Sequence, residues 1–153
     1  MLGEKNNSAE NTAASGKKID KETAENEFIR FCDSNRIKHD ESAMNDEELD
    51  TFKSIKDRFI ENCMEGRVEV DGTSIKYTLS SFSGEGFRGE VIKIIRPAGQ
   101  AMTATDGMKD RDSVKKLHAF MSAITGKDIG YFSKIDISDW KFLNSIAQLF
   151  LSL

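Results

Sequence analysis

The sequence predicts an α+β fold: a small antiparallel three-stranded sheet flanked by helices, behind a disordered N-terminal tail. Three observations lead there. Apolar residues recur at threes and fours through Leu49, Phe52, Ile55, Phe59 and Cys63, the period of a helix. The period then switches to two around Asp71-Gly72, a hairpin signal between alternating apolar residues. A β-branched run, Val91 to Ile95, closes at Arg96-Pro97, and two further helix-period stretches follow it.

Residues 1–18 carry almost no large apolar side chain. Such a segment cannot bury enough surface to offset its ordering entropy, so it is expected to be a disordered tail. From Ile19 a helix is expected, with Phe28, Ile29, Phe31 and Cys32 as its apolar stripe before Asn35. Residues 36–44 are polar and connect. Asn45 has the chemistry of an N-cap, and Asp46, Glu47 and Glu48 suit the positive end of the next helix. Gly66 fits the residue just past that helix's end.

With Asp71-Gly72 as the hairpin loop, Val70 faces Thr73 and Val68 faces Ile75, so the apolar residues share one face. Ser80 to Gly89 is a Gly/Ser-rich loop, and residues 90–96 make the third strand, stopped by Pro97, which has no N–H for the ladder. Residues 98–112 look mobile. A helix from Ser113 to Thr125 carries Val114, Leu117, Phe120, Met121 and Ile124 and ends at Gly126. Ile129, Tyr131, Phe132 and Ile135 form an apolar link, and Ser138 is expected to cap the last helix. Three regions result: the tail 1–18, an acidic helical region 19–65, and an α+β core 66–153 with its C-terminal helices.

Composition narrows the function classes. At 153 residues the chain makes one domain, or one domain with a tail. Net charge is −4, with 6 Lys/Arg against 10 Asp/Glu over 28–66 and 12 against 10 over 67–153. Neither part has the dense basic patch of a phosphate-tracking surface, so no nucleic-acid partner is expected. No run of 18 apolar residues would cross a membrane, and Met1-Leu2-Gly3-Glu4-Lys5 does not open a signal peptide. The expected location is the cytoplasm. Cys32 and Cys63 fit no metal spacing and read as reduced thiols, with one disulfide as the alternative.

Chemistry-bearing motifs are sparse. Gly84-Glu85-Gly86-Phe87-Arg88-Gly89-Glu90-Val91 fits the kinase glycine-loop pattern, but the remaining kinase motifs are missing. As a dinucleotide fingerprint it lacks the following helix. It reads as a flexible hairpin loop, and no cofactor is expected. Its aromatics, Phe82 and Phe87, either tuck onto the core or dock on a partner. His39 reads as solvated and His118 as a partly buried structural histidine. Asp106, Asp110 and Asp112 lack the calcium-loop spacing and read as turn and cap residues, so no metal site is expected. No nucleophile–base pair can be assembled, and the chain is expected not to be an enzyme. Trp140, Leu143, Ile146 and Phe150 make a stripe on the terminal helix, with Phe142, Leu149 and Leu151 outside it. Such a helix is either a buried core element or a surface for a partner or for self-association.

Residues 66–153 resemble the tail assembly chaperones of long-tailed bacteriophages and prophages. The likeness lies in the order of elements: strands ending in Val91-Ile92-Lys93-Ile94-Ile95-Arg96-Pro97, the helix around His118-Ala119-Phe120-Met121-Ser122-Ala123-Ile124-Thr125-Gly126, then Ile135-Asp136-Ile137-Ser138-Asp139-Trp140 and an apolar closing helix. The resemblance implies a non-enzymatic protein that binds the long tape-measure protein during tail building and helps recruit tail-tube protein. A structural component retained in the phage or prophage particle is the alternative. The acidic region 1–65 goes beyond the resemblance. On this reading Trp140, Leu143, Ile146, Phe150, Phe82 and Phe87 are the partner-binding residues.

Overall fold

The computed structural model describes residues 17–106 and 112–153. The expected tail therefore lies, apart from Lys17 and Lys18, outside the described residues. Helix α1 spans Lys21–Asn35 and α2 spans Asp46–Met64, joined by a short 3-10 turn at Glu41–Ala43. Strands β1 (Val68–Asp71), β2 (Ser74–Thr78) and β3 (Val91–Ile94) follow. Then come the one-turn helix α3 (Gln100–Thr103), α4 (Ser113–Thr125), a 3-10 segment at Ile129–Ser133, and α5 (Ile137–Leu151). The architecture is α+β, as expected, with the strands in the antiparallel order β1-β2-β3.

Local chemistry sets the helix ends. Asp20 caps α1 by accepting from the Thr23 N–H. Asn45 caps α2 by accepting from the Glu48 N–H, while the Asn45 amide donates back to the Glu48 carboxylate. At the far end of α2 the Gly66 N–H reaches Cys63 and the Arg67 N–H reaches Asn62. This pair of bonds is the Schellman pattern, and it requires the left-handed φ of 77° that Gly66 adopts. Helix α4 ends at Gly126 as expected. Helix α5 starts two residues earlier than expected, because Asp136 rather than Ser138 is the cap, accepting from the Ser138 N–H at 2.9 Å.

The hairpin register also differs from expectation. Val68 pairs with Tyr77 and Val70 with Ile75, so the two-residue loop is Gly72-Thr73 instead of Asp71-Gly72. An Asp-Gly loop needs positive φ at both central residues, whereas here only Gly72, at 60°, takes that strain. The slip is two residues on the partner strand, so every apolar side chain keeps its face. Strand β3 stops at Ile94, short of Pro97, because the Ile95 N–H leaves the ladder for the Ile124 carbonyl at the end of α4. Part of the 98–112 stretch that looked mobile is helical: α3 buries Ala101.

One core joins both halves of the chain. Val68, Val70, Ile75, Tyr77, Ile92 and Ile94 form the inner face of the sheet, and Glu69, Lys76 and Lys93 the solvent face. Against the inner face pack aromatic side chains of α1, α2 and α5. Phe59 lies 5.1 Å from Phe28, 5.6 Å from Phe31 and 6.4 Å from Phe142 between ring centres. Phe142 stacks on Tyr77 at 4.1 Å, and Phe31 meets Phe150 edge-on. The acidic region 19–65 is thus part of the same core as 66–153.

This settles the question of α5. Leu143, Ile146 and Phe150 are buried, as are Phe142 and Leu149. Their expected availability as an open partner surface is corrected. A helix apolar on more than one face is covered on one side by α1, α2 and the sheet, and on another by α4. Cys32 and Cys63 are free buried thiols, and burial pushes each thiol up to about 12.

Candidate functional site

Among the described residues a single carboxylate is fully buried, and it organises the start of the loop between β2 and β3. Asp139 sits in the first turn of α5 with no exposed surface. Its two oxygens accept from the Tyr77 hydroxyl at 2.6 Å, the Ser80 N–H at 3.0 Å, the Ser80 hydroxyl at 2.9 Å and the Ser83 hydroxyl at 2.6 Å. The Arg67 guanidinium stands 3.9 Å away. Burial, and then the Asp139 carboxylate beside it, hold the Tyr77 phenol well above its ordinary range. A buried charge so fully bonded is stable in place and fixes what it touches.

What it touches is the start of the loop between β2 and β3. Residues 80–83 form a turn closed by the Ser83 N–H on the Ser80 carbonyl. Both corner serines are buried and held by Asp139, and the Ser83 hydroxyl also accepts from the Asp136 N–H. Phe82, between them, is 81% exposed. A flexible loop would let so large an apolar ring fold down, whereas this turn holds it out. Ile137, one residue beyond Asp136, is 62% exposed.

The glycine-rich half of the loop is tied as well. The N–H groups of Phe87, Arg88 and Glu90 bond carbonyls within the loop, and that of Gly89 bonds Leu79. A phosphate cradle needs such amides pointing outward. Phe87 is half-buried 5.5 Å from Tyr131, whose hydroxyl reaches Glu90. Lys127 pairs with Glu90 and lies over the Tyr131 ring. The expected flexible loop is anchored at both ends.

The predicted site residues therefore separate. Phe82 is a displayed aromatic, and Phe87 is tucked against Tyr131. Trp140 is partly buried, and its indole N–H donates to His118 Nε2 at 2.9 Å. This is the structural role expected of His118, and it requires a neutral ring with Nε2 unprotonated. Desolvation lowers the pKa of His118 from its ordinary 6.5. Leu143, Ile146 and Phe150 belong to the core. His39, expected to be free in solvent, contacts Asp33 at 2.7 Å. Asp112 stands at the N-cap position of α4 and Asp106 in a turn, while Asp110 lies outside the described residues. Among the described residues no group of three or more His, Cys, Asp or Glu could hold a metal ion, and no helix is long and apolar enough to cross a membrane.

Sequence reasoning missed Asp139. A signal existed: Asp139 shares the helical stripe of Leu143, Ile146 and Phe150, so a carboxylate on that stripe had to be buried and bonded.

A second feature lies at the other end of α5. A groove of about 1180 Å³ runs between the end of α1, the 36–44 connector, the first turns of α2 and the last turn of α5. No protein-family model matches the chain, and no curated protein or solved structure matches it significantly.

Proposed function

We propose that this protein is a non-enzymatic binding protein of the cytoplasm, acting as a phage tail assembly chaperone that holds the tape-measure protein and helps recruit tail-tube subunits. The observation that carries the binding role is Phe82, 81% exposed on a turn whose corners are held by a buried carboxylate. Rigid aromatic anchors supply contact area at low entropic cost, which is why aromatics concentrate at interface hot spots. The tail-assembly role is supported by the resemblance of residues 66–153 in element order. The contact surface moves away from Leu143, Ile146 and Phe150, which are core, to the exposed Phe82.

The test is affinity purification from cells making the protein's native neighbours, with partners identified by mass spectrometry. The expected result is one very long helical protein, lost on Phe82→Ser while the melting temperature stays unchanged. Absence of any such partner, or full retention in Phe82→Ser, would overturn the assignment. Presence of the chain in purified particles would favour a structural component, since an assembly chaperone leaves before completion.

A further inference from the structure

The groove at the C-terminal end of α5 has an apolar floor and an uneven charge. Ile37, Met44, Phe52, Ile55, Leu149 and Leu151 supply the floor, and Leu151 is about half exposed. The rim carries Asp33, Asp40, Glu47 and Glu48 against Arg36 and Lys38, a balance of 2 − 4 = −2 with His39 neutral. Backbone electrostatics add to it. Helix α5 ends at the groove with no basic residue in its last turn to offset its negative pole, whereas the pole of α1 is met by the Arg96 guanidinium, which donates to the Asn35 carbonyl. The positive pole of α2 also points there, but Asp46, Glu47 and Glu48 occupy its first turn.

From this floor and field we infer that the groove is the docking site for a basic amphipathic helix of a partner protein. The occupant lays an apolar stripe on Met44 and Leu151, the accessible part of the floor, and sets Lys or Arg toward Glu47 and Glu48. Charge complementarity selects this class over an acidic helix, which would meet like charge along most of the rim. The inference deepens the proposed binding function: it gives the client's chemistry and a second contact, separated from Phe82 along α5, whose 15 residues span about 22 Å.

The probe is a Leu/Lys amphipathic peptide of about 14 residues, long enough to be helical when docked, with its Leu/Glu counterpart as control. Binding to the full chain is followed by amide chemical shifts and calorimetry. Expected are shifts confined to residues 36–55 and 148–152, and an affinity that falls with salt. Affinity should drop about tenfold in Glu47→Lys with Glu48→Gln, a pair that keeps a capping side chain at position 48. It should rise in Lys38→Glu, a gain that misfolding could not mimic. Equal binding of the Leu/Glu peptide, shifts elsewhere, or no binding would overturn the inference. If the peptide docks but no long helical partner is captured, the groove stands and the chaperone reading fails. If capture is unchanged in the Glu47→Lys pair, the reverse holds.

Discussion

At the scale of single residues, Asp139 and His118 carry the sharpest consequences. Replacing Asp139 with Ala strands a buried N–H and the Ser80, Ser83 and Tyr77 hydroxyls together. The expected loss is about 3–5 kcal/mol, measured by urea unfolding, with Asp139→Asn losing less because it retains one acceptor oxygen. The His118 contact gives a pH response with a definite sign. Its folded pKa is depressed, so the unfolded chain binds the extra proton first. The contribution to stability is complete above the ordinary 6.5 and is lost as pH falls through the depressed folded value. Trp140 is the sole tryptophan and reports directly on this bond. Its fluorescence should change only as pH falls below the ordinary 6.5 in the native protein, and stay flat in His118→Gln.

At the scale of elements, the caps and the periods were readable in advance, because they depend on neighbours a few residues away. Asn45, Gly66 and Gly126 stand where their side-chain chemistry and backbone freedom place them. The hairpin slipped because two registers put the same residues inside, so hydrophobic pattern could not separate them, and only turn strain did. Helix α1 ends on a strained residue that sequence would not have suggested. Arg36 has a φ of 59°, with its own N–H on Asp33 and the next on Cys32, a Schellman end built without glycine. Arg36→Gly is expected to stabilise the protein by about 0.5–1 kcal/mol, seen as a higher urea midpoint at unchanged slope. The result also bears on the groove, since Arg36 is one of its two basic rim residues.

At the scale of the molecule, the exposed or buried fate of α5 could not be read from its own residues. Its stripe suits a core and a partner surface equally, and what decides is cover supplied by α1 and α2, more than 70 residues earlier. Distance along the chain also hid the Asp139 network, in which partners lie 56–62 positions away. The expected division at residue 66 accordingly separates sequence character, not packing. Phe28, Phe31 and Phe59 fill the space against Phe142 and Phe150. A fragment of residues 66–153 is therefore expected to lack a cooperative melting transition, monitored by circular dichroism. Adding residues 19–65 as a separate chain should restore it.

Because the aromatic rings of α1 and α2 meet those of α5, the order of synthesis matters. The first two helices leave the ribosome with their apolar stripes bare, and the sheet alone does not cover them. Only when α5 emerges can Phe31 find Phe150. Throughout that interval the nascent chain is a client for the cell's own folding machinery. Stalling translation before α5 should leave these helices cross-linkable to a ribosome-bound holdase, and stalling within an added C-terminal linker long enough to carry α5 clear of the ribosome should not.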